Sequence, residues 1–355
     1  MAGAGVVRIA IVGMGIGKAN GLALAANPRG RVVALCDLVE ERMVELARQL
    51  PGEQALFMDY KLMCRDRSID AIFVGTPNQL HVPVAVEAVR CDKHVLVTKP
   101  LADSERAAAR LVKAAESAGV VNMMSLSTRF SPACRYLQAR AESGYFGELY
   151  YGRARSVRRN GIPAWNLGFI REGGGAFRDM GVHVLDAAWS IMGRPRPATV
   201  TGVSGAPFGP RGLGYSRATP PKTYRQFAAD DYAGGFIRFE SGAGLQVESF
   251  WASHQPPEVQ VELFGTDAGA RLSPLTIYRT EDGVEEDTSV NLPARGGSGS
   301  WDHIAAHFID CILDGVECTA PLRHGLQVQQ MMEALLKSAS TGREVRLHTS
   351  AEEWK

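Results

Sequence analysis

Three side chains have the types and spacing to move a proton to or from an oxygen. Asp179 and His183 stand four apart, with Asp186 three further on, so on a helix the three share one face. An imidazole beside a carboxylate can be held in one tautomer, which a general base needs to take a hydroxyl proton near neutral pH. The same spacing suits a helix start with Asp179 near its cap and a satisfied core histidine, and geometry alone leaves the two readings even. Lys99 closes the run VLVTKP at 95–100. At the carboxyl end of a strand in a wound parallel sheet, its ammonium points into the crevice where ligands bind.

A second group of residues has the chemistry of a dinucleotide site. Gly13, Gly15 and Gly17, with Met14 and Ile16 between them, directly follow an apolar run and open a helix. A tight turn there lets backbone N–H groups face a pyrophosphate. The spacing is GxGxG rather than GxGxxG, a weak signal by itself. Asp37 ends the next β-branched run, where a carboxylate binds ribose hydroxyls. A plain strand-turn-helix with Asp37 as a solvated strand end is the alternative, and position, order and spacing together favour the cofactor. Asp37 would repel a 2′-phosphate, and Leu38 and Val39 supply no cation, so NAD is expected in preference to NADP.

These residues need a frame. From 7 to about 125 short β-branched runs alternate with helical stretches, the pattern of a parallel sheet wound by helices. The expected strands are 7–12, 31–36, 55–58, 71–75, 94–98 and 120–124, and apolar residues recur at helical spacing over 40–50, 81–89 and 104–118, with Ser104 as N-cap. After Phe130 the texture changes to a helical piece at 133–142, a strand at 149–157, glycines at 173–175 and a helix over 177–192. Alternating runs at 199–203, 232–239, 244–250, 258–264 and 270–273 read as neighbouring strands of one mostly antiparallel sheet. Irregular stretches at 205–228 and 294–300, then helices at 301–313 and 325–340, complete the chain. The fold class is therefore α/β: a doubly wound nucleotide-binding domain over 1–126, then an α+β domain with a large, open-faced sheet over 127–355, carrying substrate binding and oligomerisation.

Bulk properties agree with a small-molecule partner. At 355 residues two domains are the default. Lys plus Arg number 39 against 38 Asp plus Glu, a formal charge of +1, which offers no global field for nucleic acid or an anionic membrane. Six scattered cysteines form no CxxC pair and read as reduced thiols in a cytoplasmic protein. The apolar N-terminus lacks a basic flank and is broken too early to span a bilayer. His303 and His307 have the spacing of a helical metal pair, but with no third ligand in sight no metal is expected.

Taken in order, the GxGxG turn, GTPNQLH at 75–81, TKP at 98–100 and DMGVH at 179–183 resemble the Gfo/Idh/MocA oxidoreductase family along nearly the whole chain, including the closing 321–343 stretch. The resemblance implies that Lys99 matches the lysine of an EKP motif and that Asp179 and His183 match a DxGxH pair. It implies that Thr76, Pro77, Asn78 and His81 form the loop beside the nicotinamide ribose. It further implies that His183 removes a hydroxyl proton, Asp179 supports the imidazole, and Lys99 hydrogen-bonds the reacting oxygen as hydride leaves its carbon. Thr98 stands where the family usually has Glu, which puts the cofactor pose in question and leaves the lysine chemistry intact.

Further segments, RRNGIPAW at 158–165, GGG, DDYA at 230–233 and ESFWA at 248–252, are similar to the branch containing levoglucosan and other glycoside dehydrogenases, which oxidise a ring hydroxyl, often at carbon 3. Arg129, Arg158 and Trp165 are the added candidates for holding a sugar or cyclic polyol. Trp165 could stack on a pyranose face or serve as a packing anchor, and the run Arg153, Arg155, Arg158 and Arg159 could read an acidic substituent or, as the favoured reading, form a solvated strand face paired with acidic neighbours. Two other activities compete with net dehydrogenation: hydrolysis through transient oxidation at carbon 3, and a noncatalytic NAD-binding regulator. An open apolar sheet face is expected to pair with other copies as a homodimer or homotetramer. The substrate's identity, the hydroxyl attacked and the direction are not legible from sequence.

Overall fold

The structure is a computed structural model that describes residues 5–165, 167–292 and 299–347. Of the irregular stretch expected at 294–300, positions 294–298 lie outside the described residues.

In chain order the first elements are β1 (Val7–Val12), α1 (Gly17–Ala26), β2 (Gly30–Cys36), α2 (Glu40–Ala47), β3 (Ala55–Phe57) and α3 (Tyr60–Cys64). Then come β4 (Ala71–Val74), α4 (Asn78–Arg90), β5 (His94–Thr98), α5 (Glu105–Ala118), β6 (Asn122–Ser125), α6 (Pro132–Glu142), β7 (Leu149–Val157) and α7 (Leu167–Ile170). A π-helical turn, Phe177–Gly181, leads into α8 (Val182–Ile191), followed by β8 (Pro197–Gly205), α9 (Pro221–Tyr224), β9 (Tyr232–Phe239), β10 (Gly244–Phe250) and β11 (Glu258–Gly265). The chain continues through β12 (Gly269–Arg271), β13 (Thr276–Glu281), β14 (Val284–Ser289), α10 (Ser300–Asp314), α11 (Leu322–Thr341) and β15 (Val345–Arg346).

Two compact units form. The first takes described residues up to Phe130 together with those from Gly299 to Leu326. Its sheet runs β3-β2-β1-β4-β5-β6 with parallel neighbours throughout, and the order reverses between β1 and β4. β4 is buried along its whole length, because a parallel sheet covered on both faces has no polar side. Ser104 caps α5 by accepting the Ala107 N–H at 3.4 Å, worth about 1 kcal/mol. Ala108, Leu111, Val112 and Ala115 turn inward, and Gly119 ends the helix at φ +66. Division of the chain at 126/127 does not describe the packing of α10, which buries Ile304, Ala305, Phe308 and Ile309 in the same core as β1. An apolar stripe says that a helix will be buried, not in which core.

The second unit takes 131–292 and 327–347. Its sheet runs β14-β13-β12-β11-β7-β10-β9-β8-β15; β7 and β10 are parallel and the other pairings are antiparallel. One face carries Ala154, Val247 and Val261 into a core with Val184, Leu185, Ala188 and Trp189 of α8. The opposite face is not the plain apolar surface expected. Tyr151 stacks on Phe236, Tyr232 stacks on Phe250, and Arg155 and Arg271 lie 3.3 Å from Glu258.

The sequence pattern does not mark β13 and β14. Their side chains are mostly exposed, so no apolar alternation betrays them. The signal that could have found them is the turn, where Asp282 and Gly283 take φ of +51 and +79 in the Asp-Gly arrangement that closes two-residue hairpins.

Candidate active site

In the first unit the glycine turn stands at the carboxyl end of β1, at the point where strand order reverses. Gly13 takes φ +85, and a Cβ there would meet the Gly75 carbonyl oxygen at 2.6 Å. The turn is thereby pressed against the end of β4, which only glycine permits. Gly15 and Ile16 are exposed, and the first turn of α1 has neither a side-chain cap nor an acidic residue. A helix start of this kind suits a pyrophosphate. Asp37 accepts the Met14 N–H at 2.7 Å on Oδ2 and the Val39 N–H at 3.0 Å on Oδ1. The carboxylate that would take ribose hydroxyls thus also ties the glycine turn to the end of β2. Thr76 Oγ1 is buried without a protein partner at the end of β4. A cradle that a Cβ would fill, an uncapped helix start, a placed carboxylate and an orphaned hydroxyl together fit a dinucleotide.

The loop after β4 begins α4 at Asn78, earlier than the expected 81, and Pro77 is its exposed lead-in. His81 is fully buried, with Nδ1 2.8 Å from the Pro100 carbonyl oxygen and Nε2 2.7 Å from that of Thr76. Burial pushes its pKa down against the pull of those two carbonyls. The ring binds the Thr76–Asn78 loop to the Lys99–Pro100 segment, so it acts from behind that loop. Thr98 is buried and Lys99, half-buried, leaves the carboxyl end of β5.

In the second unit the π-helical turn is set from both sides. Asp230 accepts the Phe177 N–H at 3.1 Å on Oδ2, and its main-chain oxygen takes the Ala176 N–H at 3.0 Å. Gly175, at φ +115, leaves room for that carboxylate, which an added Cβ would strike. Burial pushes the Asp230 pKa up, against the Phe177 amide and Arg178. Asp179, on the π turn, accepts the indole N–H of Trp251 at 3.0 Å; Trp251 is fully buried just past β10. His183 follows on the first turn of α8, and both it and Asp179 are half-buried. Wide turns of this kind recur at functional sites. A regular helix across 177–192 was expected; the single wide turn is the difference. Asp186, on the same stretch, is fully buried.

The other candidates separate by environment. Trp165 is 58% exposed, with its ring 6.3 Å from Phe169 in an edge arrangement, so it is not a packing anchor. Arg158 reaches the Gly161 carbonyl at 3.5 Å. Arg153 and Arg155 lie 3.6 Å and 3.5 Å from Glu262, the acidic neighbours of the strand-face reading. Arg129 is buried in the first unit; its Nη1 donates to the Thr319 carbonyl at 2.7 Å and stands 3.1 Å from His324 Nδ1. Three residues that shape the site had no role assigned from sequence. They are Trp251, Asp230 and Asp231, whose Oδ2 accepts the Phe208 and Gly209 N–H groups at 2.8 Å and so orders the Gly-rich stretch. Burial pushes the Asp231 pKa up against those amides. No local pattern marks a long-range carboxylate-to-amide bond.

Comparison with known proteins bears on the whole chain. Residues 7–126 match the oxidoreductase family with an NAD-binding Rossmann fold, and 134–271 match the Gfo/Idh/MocA C-terminal domain. D-glucoside 3-dehydrogenase of Escherichia coli (strain K12) is 28% identical over 350 residues, spanning 96% of this chain and 97% of that protein. Levoglucosan dehydrogenase of Pseudarthrobacter phenanthrenivorans is 25% identical over 378 residues, spanning 94% and 96%. The solved structure of a levoglucosan dehydrogenase in complex with NADH and levoglucosan has the same fold, with a TM-score of 0.84 at 22% identity over 96% of this chain and 99% of that one. The dinucleotide cradle of the first unit, the open nine-stranded sheet of the second and the two matched family regions make this chain a member of the Gfo/Idh/MocA family of oxidoreductases.

Proposed function

We propose that the chain is an NAD-dependent dehydrogenase that oxidises a ring hydroxyl of a sugar, glycoside or cyclic polyol, at carbon 3 of a glycoside. The observation that carries the reading is the DxGxH segment built on a wide helical turn, with Asp179 held by Trp251 and His183 one turn on. Nearly full-length similarity to a D-glucoside 3-dehydrogenase supports the substrate class and the carbon. Bound NAD supplies the hydride acceptor. His183 takes the hydroxyl proton, Asp179 supports the imidazolium that results, and Lys99 donates a hydrogen bond to the oxygen as negative charge develops. Asp37 selects NAD over NADP, since a 2′-phosphate beside a carboxylate engaged by two main-chain N–H groups meets repulsion and no cation. Trp165, exposed, offers a face for the pyranose ring. The chain works as a homo-oligomer through the open face of its second sheet.

The test is NAD reduction against a panel of glycosides, free sugars and inositols. His183→Ala should lose turnover by about a hundredfold or more while binding NADH unchanged, read by quenching of protein fluorescence. Absence of reduction across the panel, or full activity in His183→Ala, removes the assignment. Aglycone release without net NADH would instead mark the hydrolase.

A further inference from the structure

His307 and Cys311 lie one turn apart on α10, and their facing atoms, Nε2 and Sγ, are 3.6 Å from one another. The chain then leaves α10 through a turn at Gly315 and brings Cys318 back, so that His307 Nε2, Cys311 Sγ and Cys318 Sγ all lie within 4.8 Å of one another. All three belong to the first unit. Two bonds hold the returning segment in place. Cys318 Sγ approaches the Asn122 carbonyl of β6 at 3.6 Å, and the Thr319 N–H donates to His307 Nε2 at 2.9 Å. The latter bond shows Nε2 unprotonated with its lone pair turned toward this segment, and a bound cation would take that lone pair in place of the Thr319 N–H. The paired histidine of the i,i+4 motif takes no part: His303 Nδ1 faces the Phe130 carbonyl at 3.1 Å.

We propose that His307, Cys311 and Cys318 form a binding site for a thiophilic d10 cation of the zinc class. In a tetrahedral site with Zn–S of about 2.3 Å and Zn–N of about 2.0 Å, adjacent sulfur and nitrogen ligands stand about 3.5 Å apart. The Cys311–His307 separation already matches that edge. Two thiols and an imidazole form a soft donor set that selects zinc over magnesium or calcium. Loading releases the two thiol protons, and two thiolates neutralise the dication, which suits a site where Cys311 is buried. His307 and Cys318 are half-buried, leaving an entry path and a fourth position for solvent or Thr319 Oγ1, 3.1 Å from Nε2. The cation would fasten α10 to the segment that covers the edge of the Rossmann sheet, where Met124 donates its N–H to the Ala320 carbonyl at 2.8 Å. It is separate from the dinucleotide cradle.

The experiment titrates cobalt(II) into the full chain, reduced and freed of metal, under anaerobic conditions. The expected result is one equivalent bound per chain with a thiolate-to-cobalt charge-transfer band in the near ultraviolet, displaced by zinc. Cys311→Ser with Cys318→Ser should abolish the band, and Cys91→Ser should leave it unchanged. A chain with no such band, or one whose band survives in the double variant, overturns the proposal. Should the double variant fail to fold, X-ray absorption of the zinc-loaded wild-type chain decides: two sulfur scatterers with one imidazole support the site, and a shell of oxygen and nitrogen alone refutes it.

Discussion

Trp251 donates its indole N–H to Asp179 Oδ2 at 3.0 Å across 72 residues of sequence. The carboxylate proposed to support the base thus accepts a bond from a side chain just past β10, far from it in sequence. Trp251→Phe keeps most of the buried ring and removes the donor. A hydrogen bond to a charged group contributes about 1.5–3 kcal/mol, so kcat should fall about tenfold or more with KM nearly unchanged. Steady-state kinetics with any sugar that reduces NAD checks this, and near-ultraviolet circular dichroism confirms intact packing. Unaltered kcat would show that Asp179 is held in place without the indole.

Asp37 orders the glycine turn through Met14 and Val39, and the proposed function gives it a second task, excluding a 2′-phosphate. Asp37→Ser keeps an acceptor and removes the charge. The ratio of kcat/KM for NAD over NADP should fall by at least about tenfold, equivalent to ~1.4 kcal/mol, chiefly through a higher KM for NAD. A ratio that does not move would place coenzyme selection elsewhere.

Acid should weaken the first unit. Burial pushes the His81 pKa down against the Pro100 and Thr76 carbonyls, and burial pushes that of His94 down against the pull of Asp70. His94 Nδ1 also accepts the Val121 N–H at 3.0 Å, a bond that a protonated ring cannot make. The unfolded chain, whose histidines titrate near 6.5, then binds more protons than the folded one. Stability is full above that value and is lost as pH falls through the window below it. Asp230 and Asp231, both raised, act with opposite sign, their contribution fading as pH rises above the ordinary carboxyl range. Urea midpoints between pH 8 and pH 5.5 should fall in the wild type and fall less in His94→Gln. Equal slopes would show that His94 takes up protons alike in the folded and unfolded chain and carries none of the acid sensitivity.

Arg129 sits in the first unit's core rather than on a surface. Arg129→Met should lower stability by about 1–3 kcal/mol, because the Thr319 carbonyl loses a charged donor that a buried side chain supplies. The denaturation midpoint should drop while KM for substrate stays within about twofold. A raised KM at unchanged stability would restore Arg129 to substrate binding.

Local composition carried the first unit's sheet well. Runs such as IAIV in β1 and AIFV in β4 are apolar throughout because both sheet faces are covered, and the Ser104 cap was readable because a cap is a contact between neighbours in sequence. The hairpin of β13 and β14 escaped because β14 is exposed along its whole length and β13 over its last four residues, so neither face carries an apolar period. The wide turn at Phe177–Gly181 escaped because its causes, Asp230 and the space left by Gly175, lie more than 50 residues apart.

The identities and spacings of Gly13, Asp37, Lys99, Asp179 and His183 were determined by sequence alone, and so was the kind of chemistry they can perform. Only the tertiary structure decided that Trp251 aims Asp179, that Arg129 is an anchor in the first core, that α10 joins the first core, and that two cysteines stand beside His307. The division has a physical cause. Backbone period, capping and turn chemistry act over a few residues and leave a pattern in the sequence, whereas a buried hydrogen bond or a shared ligand sphere depends on which distant surfaces pack together.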